Sequence, residues 1–466
     1  MPARFHRAAL VLMAAIASLV LALPGSGLAA TDGDTLDERA STTWHILPAE
    51  GVVHVATIAT LTNKQKPGGW HRVPCTGGKR GVCKERTRYY FDHWGTIWIS
   101  DQAVDLAFGG PGVTDEFTDV SGSGSRYTVR FPRLHYNKKQ QVTVDYDLPS
   151  AAAGVHEPTR IEDAYLHFCW YGEDADSGMV RAILPPGFQP ISNDYGQPRV
   201  EQTADGVVLS SPSAKGNPAE FFVCTEAVAP DRYVNTYLAG DDGNGLVTIA
   251  AWPADTAWAD RMIGEAKTAR PWLEQQLGSP LPVGSLTVRE VGTQGTRGVD
   301  AELAPVDGII GVSEAARELG VLSVPMARTW FGPQAVRDPW LAEGLAAWSG
   351  LAAVGARCPV AAVTEPATAA AAETTTPVLS DWVVPGRNDG QPMWDHFVHQ
   401  SAVACEIVQA AADAIGTEMM TAIVAELLTS PTPVGATDWL VEVAVASDAD
   451  TVGVLRARIA EAGFPA

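Results

Sequence analysis

Two hydrophobic patterns divide the chain. From Trp44 to about Pro230, short runs of alternating apolar and polar residues are separated by glycine, proline and aspartate, as in GTIWIS, RYTVRFP and QVTVDYDLP. Alternation with a period of two is typical of strands that bury one face. This half is therefore predicted to be an antiparallel, β-sandwich-like domain.

The remainder mixes strands with helices. Apolar residues recur at helical spacing from Thr256 to Leu277, where Pro271 is expected to kink the helix or begin a second segment. The other predicted strands are 246–252, 285–291 and 307–313, and the later helices begin at 397 or span 417–428, 436–445 and 450–462. The whole chain is predicted to be α+β, with domains at 31–235 and 236–466.

Residues 1–30 resemble a secretory signal peptide. Arg4, His6 and Arg7 precede an apolar run from Ala8 to Leu23, and small residues follow at the expected cleavage point. The alternative is an uncleaved membrane anchor, although the run is short for a spanning helix. The mature protein is therefore expected to be secreted, extracellular or in the cell envelope, with no stable membrane span.

Charge limits the classes of partner. The full chain has 33 basic and 54 acidic residues and a net charge of −21. Removal of the first 30 residues takes away Arg4 and Arg7 and makes the balance more acidic. Such a surface repels nucleic acid and anionic lipid. No nucleic-acid partner is expected.

Six cysteines in an exported chain favour disulfides over free thiols or metal ligands. Cys75 and Cys83 bracket the glycine-rich segment TGGKRGV, which suggests a clipped hairpin. Pairing within domains gives the three expected bridges, Cys75–Cys83, Cys169–Cys224 and Cys358–Cys405.

The segment 319–349 contains the most informative motifs, ARTWFG and WLAEGLAAW. They resemble the zinc site of the aminopeptidase-N-like gluzincins, in which HELAHQWFG is followed by a loop and WLNEGFA. Alignment on the shared WFG places Val324 and Arg328 at the two zinc histidines, Pro325 at the general-base glutamate and Glu343 at the third ligand. The connecting loop is shorter than in the family.

These substitutions remove the metal chemistry that the family pattern implies. Valine has no lone pair, and arginine remains cationic and only donates hydrogen bonds. Proline cannot act as a base, and one carboxylate does not hold catalytic zinc. The order of strands and helices also resembles the family's thermolysin-like domain. In the helix from Phe397, Val398 falls at the position of the tyrosine that stabilises the oxyanion in the family.

The resemblance therefore implies a secreted pseudopeptidase without cofactor that acts by binding a peptide or protein partner. One alternative is a hydrolase with a different site, built from Asp395, His396 and His399 with Glu343 as acid or base.

A second alternative is a carbohydrate- or cell-wall-binding protein. Trp94, Thr96 and Trp98 are predicted to share one face of a strand, and exposed indoles there would favour sugar binding over a core role.

One geometric prediction follows from the resemblance. If Arg328 and Glu343 replace two ligands of one metal, their side chains should meet. An arginine can bind a carboxylate through two parallel hydrogen bonds, so a direct salt bridge is expected where the zinc would be.

Overall fold

The computed structural model describes residues 35–462, apart from 69, 75–81, 87–88, 122–123, 154, 156–157, 195, 241–244, 294–307, 360–381 and 383–390. The predicted signal peptide and Cys75 lie outside the described residues. The chain forms two compact units. The first comprises Met1–Ala151, Pro158–Glu162 and Leu166–Val228, and the second comprises Ala152–Glu157, Asp163–Tyr165 and Ala229–Ala466. The main passage to the second unit, at Ala229, precedes the predicted boundary at 235/236 by a few residues.

The first unit consists mainly of β-strands. They are β1 Leu36–Leu47, β2 Val52–Asn63, β3 Trp70–Pro74, β4 Val82–Arg86, β5 Tyr90–Ser100, β6 Val104–Gly109, β7 Thr114–Ser121, β8 Gly124–His135, β9 Lys139–Pro149, β10 Arg160–Ile161, β11 Tyr165–Tyr171, β12 Ser177–Leu184, β13 Gln189–Asp194, β14 Arg199–Thr203, β15 Gly206–Ser210 and β16 Phe222–Val228. A 3₁₀ helix at Pro218–Glu220 precedes β16.

These strands form four sheets in the described residues. Their orders are β14-β15-β12-β1-β2-β9-β6, β10-β11-β16-β13, β3-β4 and β5-β8-β7. The prediction of purely antiparallel structure is wrong at one place, since β1 and β12 pair in parallel. A period-two pattern indicates which face is buried but carries no information on strand direction, which depends on long-range connections.

Packing inside the first unit joins its two larger sheets. Trp44 of β1 donates its indole N–H to the carbonyl oxygen of Tyr171 in β11, at 2.9 Å. The four-stranded sheet contains the disulfide between Cys169 and Cys224, one of the predicted pairs. Buried indoles with satisfied N–H groups are typical of such cores.

The predicted common face of Trp94 and Trp98 is interrupted. The register of β5 against β8 shifts between Trp94 and Thr96, which is a β-bulge at Gly95. After the bulge, Ile97 and Ile99 take the inward positions and Trp98 is only half-buried. Trp94 is buried and donates to Glu38. An extra residue inverts the alternation, so simple counting along the strand assigned the faces incorrectly.

The second unit combines a four-stranded sheet with helices. The strands are β17 Val234–Ala239, β18 Leu246–Ala251, β19 Ser285–Val291 and β20 Ile309–Ser313, after a 3₁₀ helix at Pro230–Arg232. The seven helices in the described residues are α1 Thr256–Leu277, α2 Ser323–Ala327, α3 Pro339–Ala353, α4 Gln391–Ile415, α5 Thr417–Leu428, α6 Ala436–Ala446 and α7 Ala449–Glu461.

Several predicted elements of this unit are confirmed. The helix α1 has the predicted bounds and continues through Pro271, so no second segment begins there. β18 pairs antiparallel with β17 and parallel with β19, which pairs parallel with β20. The apolar faces of the sheet and the helices join in one hydrophobic core. Within the described part of the chain, no single helix is long and apolar enough to cross a membrane, although the pair Phe397–Ile415 and Thr417–Leu428, bent by 118°, passes that test jointly.

Candidate functional site

The first element of the site is the short helix α2. Pro325 is its third residue, where a missing backbone N–H breaks no helical hydrogen bond. Ser323 is already inside the helix, and the N-cap residue, Leu322, makes no side-chain capping hydrogen bond. Instead, one carboxylate oxygen of Glu265 in α1 accepts the N–H groups of Leu322 and Ser323, at 2.9 and 2.8 Å. Glu265 therefore fixes the start of α2.

Helix α3 packs directly against α2. It begins with Asp338 as N-cap residue and Pro339 in its first turn, where proline is well tolerated. A Cβ atom on Gly350 would lie 2.5 Å from the Cα atom of Val324, so only glycine permits this approach. Val324 thus contacts α3 near its end. Arg328, one turn after Val324, lies beside the beginning of α3.

Arg328 and Glu343 form a bidentate salt bridge. Nε of Arg328 donates to Oε2 of Glu343 at 2.8 Å, and Nη2 donates to Oε1 at 2.5 Å. The two side chains are only 14% and 8% exposed. The predicted bridge is thus present, and its geometry is the paired arrangement that arginine makes with carboxylates.

The bridge leaves these residues unsuited to zinc. Both oxygens of Glu343 already accept hydrogen bonds, and the guanidinium group places a permanent positive charge beside them. Val324 contributes only methyl groups at this point. No group of three or more histidine, cysteine, aspartate or glutamate residues in the described part of the chain has the geometry to hold a metal ion.

Solved M1 zinc metallopeptidases are similar to this chain. The enzyme from Deinococcus radiodurans has 16% identity, with 93% of this chain and 96% of that chain covered and a TM-score of 0.37. A variant from Deinococcus radiodurans bound to a Tyr-Ser-Ala substrate has 14% identity, the same coverage and a TM-score of 0.36. A two-domain M1 zinc metallopeptidase variant bound to L-arginine has 15% identity, 92% and 94% coverage and a TM-score of 0.36.

Neither the family models nor the curated proteins compared with this chain gave a match.

Helix α4 carries the remaining predicted site position. Val398 is exposed on this helix, next to Phe397, which is buried. The structure thus joins Arg328 to Glu343 but places Val398 at a solvent-facing position. Of the alternative hydrolase cluster, His399 is also exposed, while the side chains of Asp395 and His396 lie outside the described residues.

A buried polar group on α4 was missed by the sequence interpretation. Gln400 is 1% exposed, and neither its amide oxygen nor its amide nitrogen has a hydrogen-bond partner among the described residues. One helical turn later, the carbonyl oxygen of Ala404 would lie 2.7 Å from a Cβ atom placed on Gly344 of α3. Gln400 thus lies one turn before a point where α4 closely approaches the helix of Glu343. Gln400 lies four residues before Ala404 and so shares its face of the helix, and this spacing was the available signal in the sequence for the burial of Gln400.

A second acidic group lies at the carboxyl ends of the parallel strands. Glu290 is fully buried, and its Oε2 accepts the backbone N–H of Trp252 at 2.7 Å. The pKa of Glu290 is raised to about 9, mainly because the group is buried. The Trp252 hydrogen bond lowers this pKa, whereas the nearby acidic groups of Asp255 and Glu314 contribute to its rise. In SLTVREV the glutamate has the same phase as the inward leucine and valine, so the alternation alone indicated its burial.

Proposed function

We propose that the mature protein is a secreted pseudopeptidase without a catalytic metal that acts by binding a peptide or protein. The supporting observation is the bidentate contact of Arg328 with Glu343, which engages the carboxylate that would otherwise remain as a ligand. The resemblance of ARTWFG and WLAEGLAAW to the gluzincin motifs explains why these two residues converge.

Retention of the scaffold accounts for the rest of the site. Trp330 and Phe331 are buried in the core, and Pro339 still begins α3. Of the positions that bind metal or move protons in the family pattern, Glu343 alone keeps its residue type, whereas the packing residues remain. This combination is expected when a framework is kept for recognition and its chemistry is lost.

Export is part of the proposal. The described residues contain the disulfides Cys169–Cys224 and Cys358–Cys405, which are compatible with an oxidising compartment. The strong negative charge favours a partner other than nucleic acid or an anionic membrane.

The two alternatives receive less support. A hydrolase that uses Glu343 as acid or base would first have to break the Arg328 bridge. A sugar site on β5 would need stacked, exposed indoles, but Trp94 is buried. Trp98, which is half-buried, does not form such a platform alone.

A peptidase assay tests the proposal. The mature protein, incubated with a peptide library and with aminoacyl substrates, should show no cleavage that a chelator abolishes. A variant with Val324→His, Pro325→Glu and Arg328→His should regain zinc before it regains activity, because Val398 cannot donate to an oxyanion. Chelator-sensitive aminopeptidase activity of the unmodified protein would contradict the proposal.

A further inference from the structure

Three polar residues form a row across the seven-stranded sheet of the first unit. His45 of β1 is directly opposite His54 of β2, and His54 is directly opposite Asp147 of β9. Neighbouring strands lie about 5 Å apart, so side chains on one face of such a row are within reach of one another. The row is formed by residues that are 9 and 93 positions apart in the sequence, so no local motif reveals it.

The three side chains share the outer face of the sheet. Their neighbours along each strand, such as Ile46, Val53 and Leu148, are buried, whereas the row is half-buried. The side chains of His54 and Asp147 are 40% and 28% exposed. A solvated ion can therefore reach the row without opening the core.

Contacts within the row orient one imidazole. Nδ1 of His54 lies 2.7 Å from Oδ1 of Asp147. With the proton on Nδ1, His54 donates to the carboxylate and its Nε2 lone pair stays available. This is the arrangement in which a carboxylate fixes the tautomer of a metal-binding histidine. The ring centres of His45 and His54 are 6.5 Å apart, which leaves a gap between the imidazoles.

We propose that His45 and His54 form a surface site for a divalent transition-metal ion of the Zn²⁺, Ni²⁺ or Cu²⁺ class. Imidazole nitrogen is a preferred ligand of these ions. Each histidine supplies one nitrogen, small side-chain rotations close the gap, and water completes the coordination. Asp147 is a positioning residue that holds His54, and Asp145 on the same face of β9 adds negative charge. With two protein ligands, the site is open and differs from a three-ligand catalytic centre.

The same unit contains a matched control. Nδ1 of His93 lies 3.0 Å from Oδ1 of Asp92, so this histidine also has a carboxylate partner. Across the strands, however, His93 is opposite Arg130 instead of a second histidine. The proposal therefore predicts metal binding at the His45–His54 pair and none at His93.

Calorimetric titration tests the site. Untagged mature protein, freed of metal with a chelator, should bind one Zn²⁺ or Cu²⁺ ion per chain. Asp147→Asn should weaken binding about 10- to 100-fold, the usual effect of losing a carboxylate partner of a metal-binding histidine. His45→Ala and His54→Ala should weaken it at least as much, whereas His93→Ala should leave the affinity unchanged.

A second measurement keeps the test decisive if a variant unfolds. The electron paramagnetic resonance spectrum of the Cu²⁺-loaded unmodified protein should show coupling to imidazole nitrogens. Oxygen-only coordination, unchanged affinity in folded His45→Ala protein, or loss of binding in His93→Ala protein would overturn the proposal. Glu343→Ala should retain the ion, so a failure here is distinguishable from a failure of the proposed function.

Discussion

Glu343 and Glu290, both in the second unit, are buried in different ways. Glu343 is paired with a guanidinium group that donates to both of its oxygens. Glu290 has a backbone N–H donor and acidic neighbours, and its pKa is raised to about 9. A cation neutralises the first carboxylate, and a bound proton neutralises the second near neutral pH. A guanidinium partner and a bound proton are thus two different ways of avoiding a buried, uncompensated negative charge.

Removal of the guanidinium group of Arg328 should have the largest effect on stability. Arg328→Ala leaves Glu343 buried without its partner and should lower the free energy of unfolding by about 3 to 5 kcal/mol. Arg456, exposed on α7 of the same unit, provides the control. Arg456→Ala should change stability by less than about 0.5 kcal/mol. Chemical denaturation of both variants measures the difference, and equal stabilities would show that the bridge contributes little.

Removal of the ionisable carboxyl group of Glu290 should have the next largest effect on stability. The pKa of Glu290 in the folded state is about 9, whereas its ordinary value is about 4.5. Between these two pH values, the folded state therefore retains a proton that the unfolded state has lost. The contribution of Glu290 to the free energy of unfolding is at its maximum below about pH 4.5. It declines by on the order of 1 kcal/mol per pH unit as the pH rises towards 9.

Glu290→Gln can still accept the Trp252 N–H through its amide oxygen but does not ionise. As the pH rises from 6 to 8, the free energy of unfolding of the variant should therefore increase by about 2 to 3 kcal/mol relative to that of the unmodified protein. Glu418→Gln, at an exposed position of α5, serves as the control. Parallel stability curves for Glu290→Gln and the unmodified protein would contradict the assigned role of protonation.

Substitution of Gln400 should have the smallest effect and the opposite sign to Arg328→Ala. Its amide atoms have no partner among the described residues, so Gln400→Leu removes a desolvation cost at similar volume and should add about 1 kcal/mol. Gln409 of the same helix accepts the N–H of Cys358 and donates to Asp413. Gln409→Leu should therefore destabilise the protein. Thermal melts of the two variants measure both effects, and a lowered Tm for Gln400→Leu or an unchanged Tm for Gln409→Leu would contradict the corresponding assignment.

The sequence predicted the elements whose boundaries depend on local pattern. Helix α1 and strand β19 have the predicted bounds, because their apolar periodicity changes sharply at the ends. The parallel pairing of β1 with β12 and the bulge at Gly95 depend on partners far away in the chain. Local alternation cannot specify either of them.

The site was predictable to a similar extent. The meeting of Arg328 with Glu343 followed from a motif that preserves helix packing. The carboxylate of Glu265 that accepts the first N–H groups of α2 belongs to another helix, so no local capping motif in the sequence indicates it. The row of His45, His54 and Asp147 required the strand register, which only the structure provides.

Zinc titration of the His45→Ala/His54→Ala variant measures whether the Arg328–Glu343 region binds metal, because the proposed surface site is absent from this variant. We expect no stoichiometric zinc binding by this variant, since Arg328 donates hydrogen bonds to both oxygens of Glu343. One tightly bound zinc ion per chain, lost on further substitution of Glu343→Ala, would contradict this expectation.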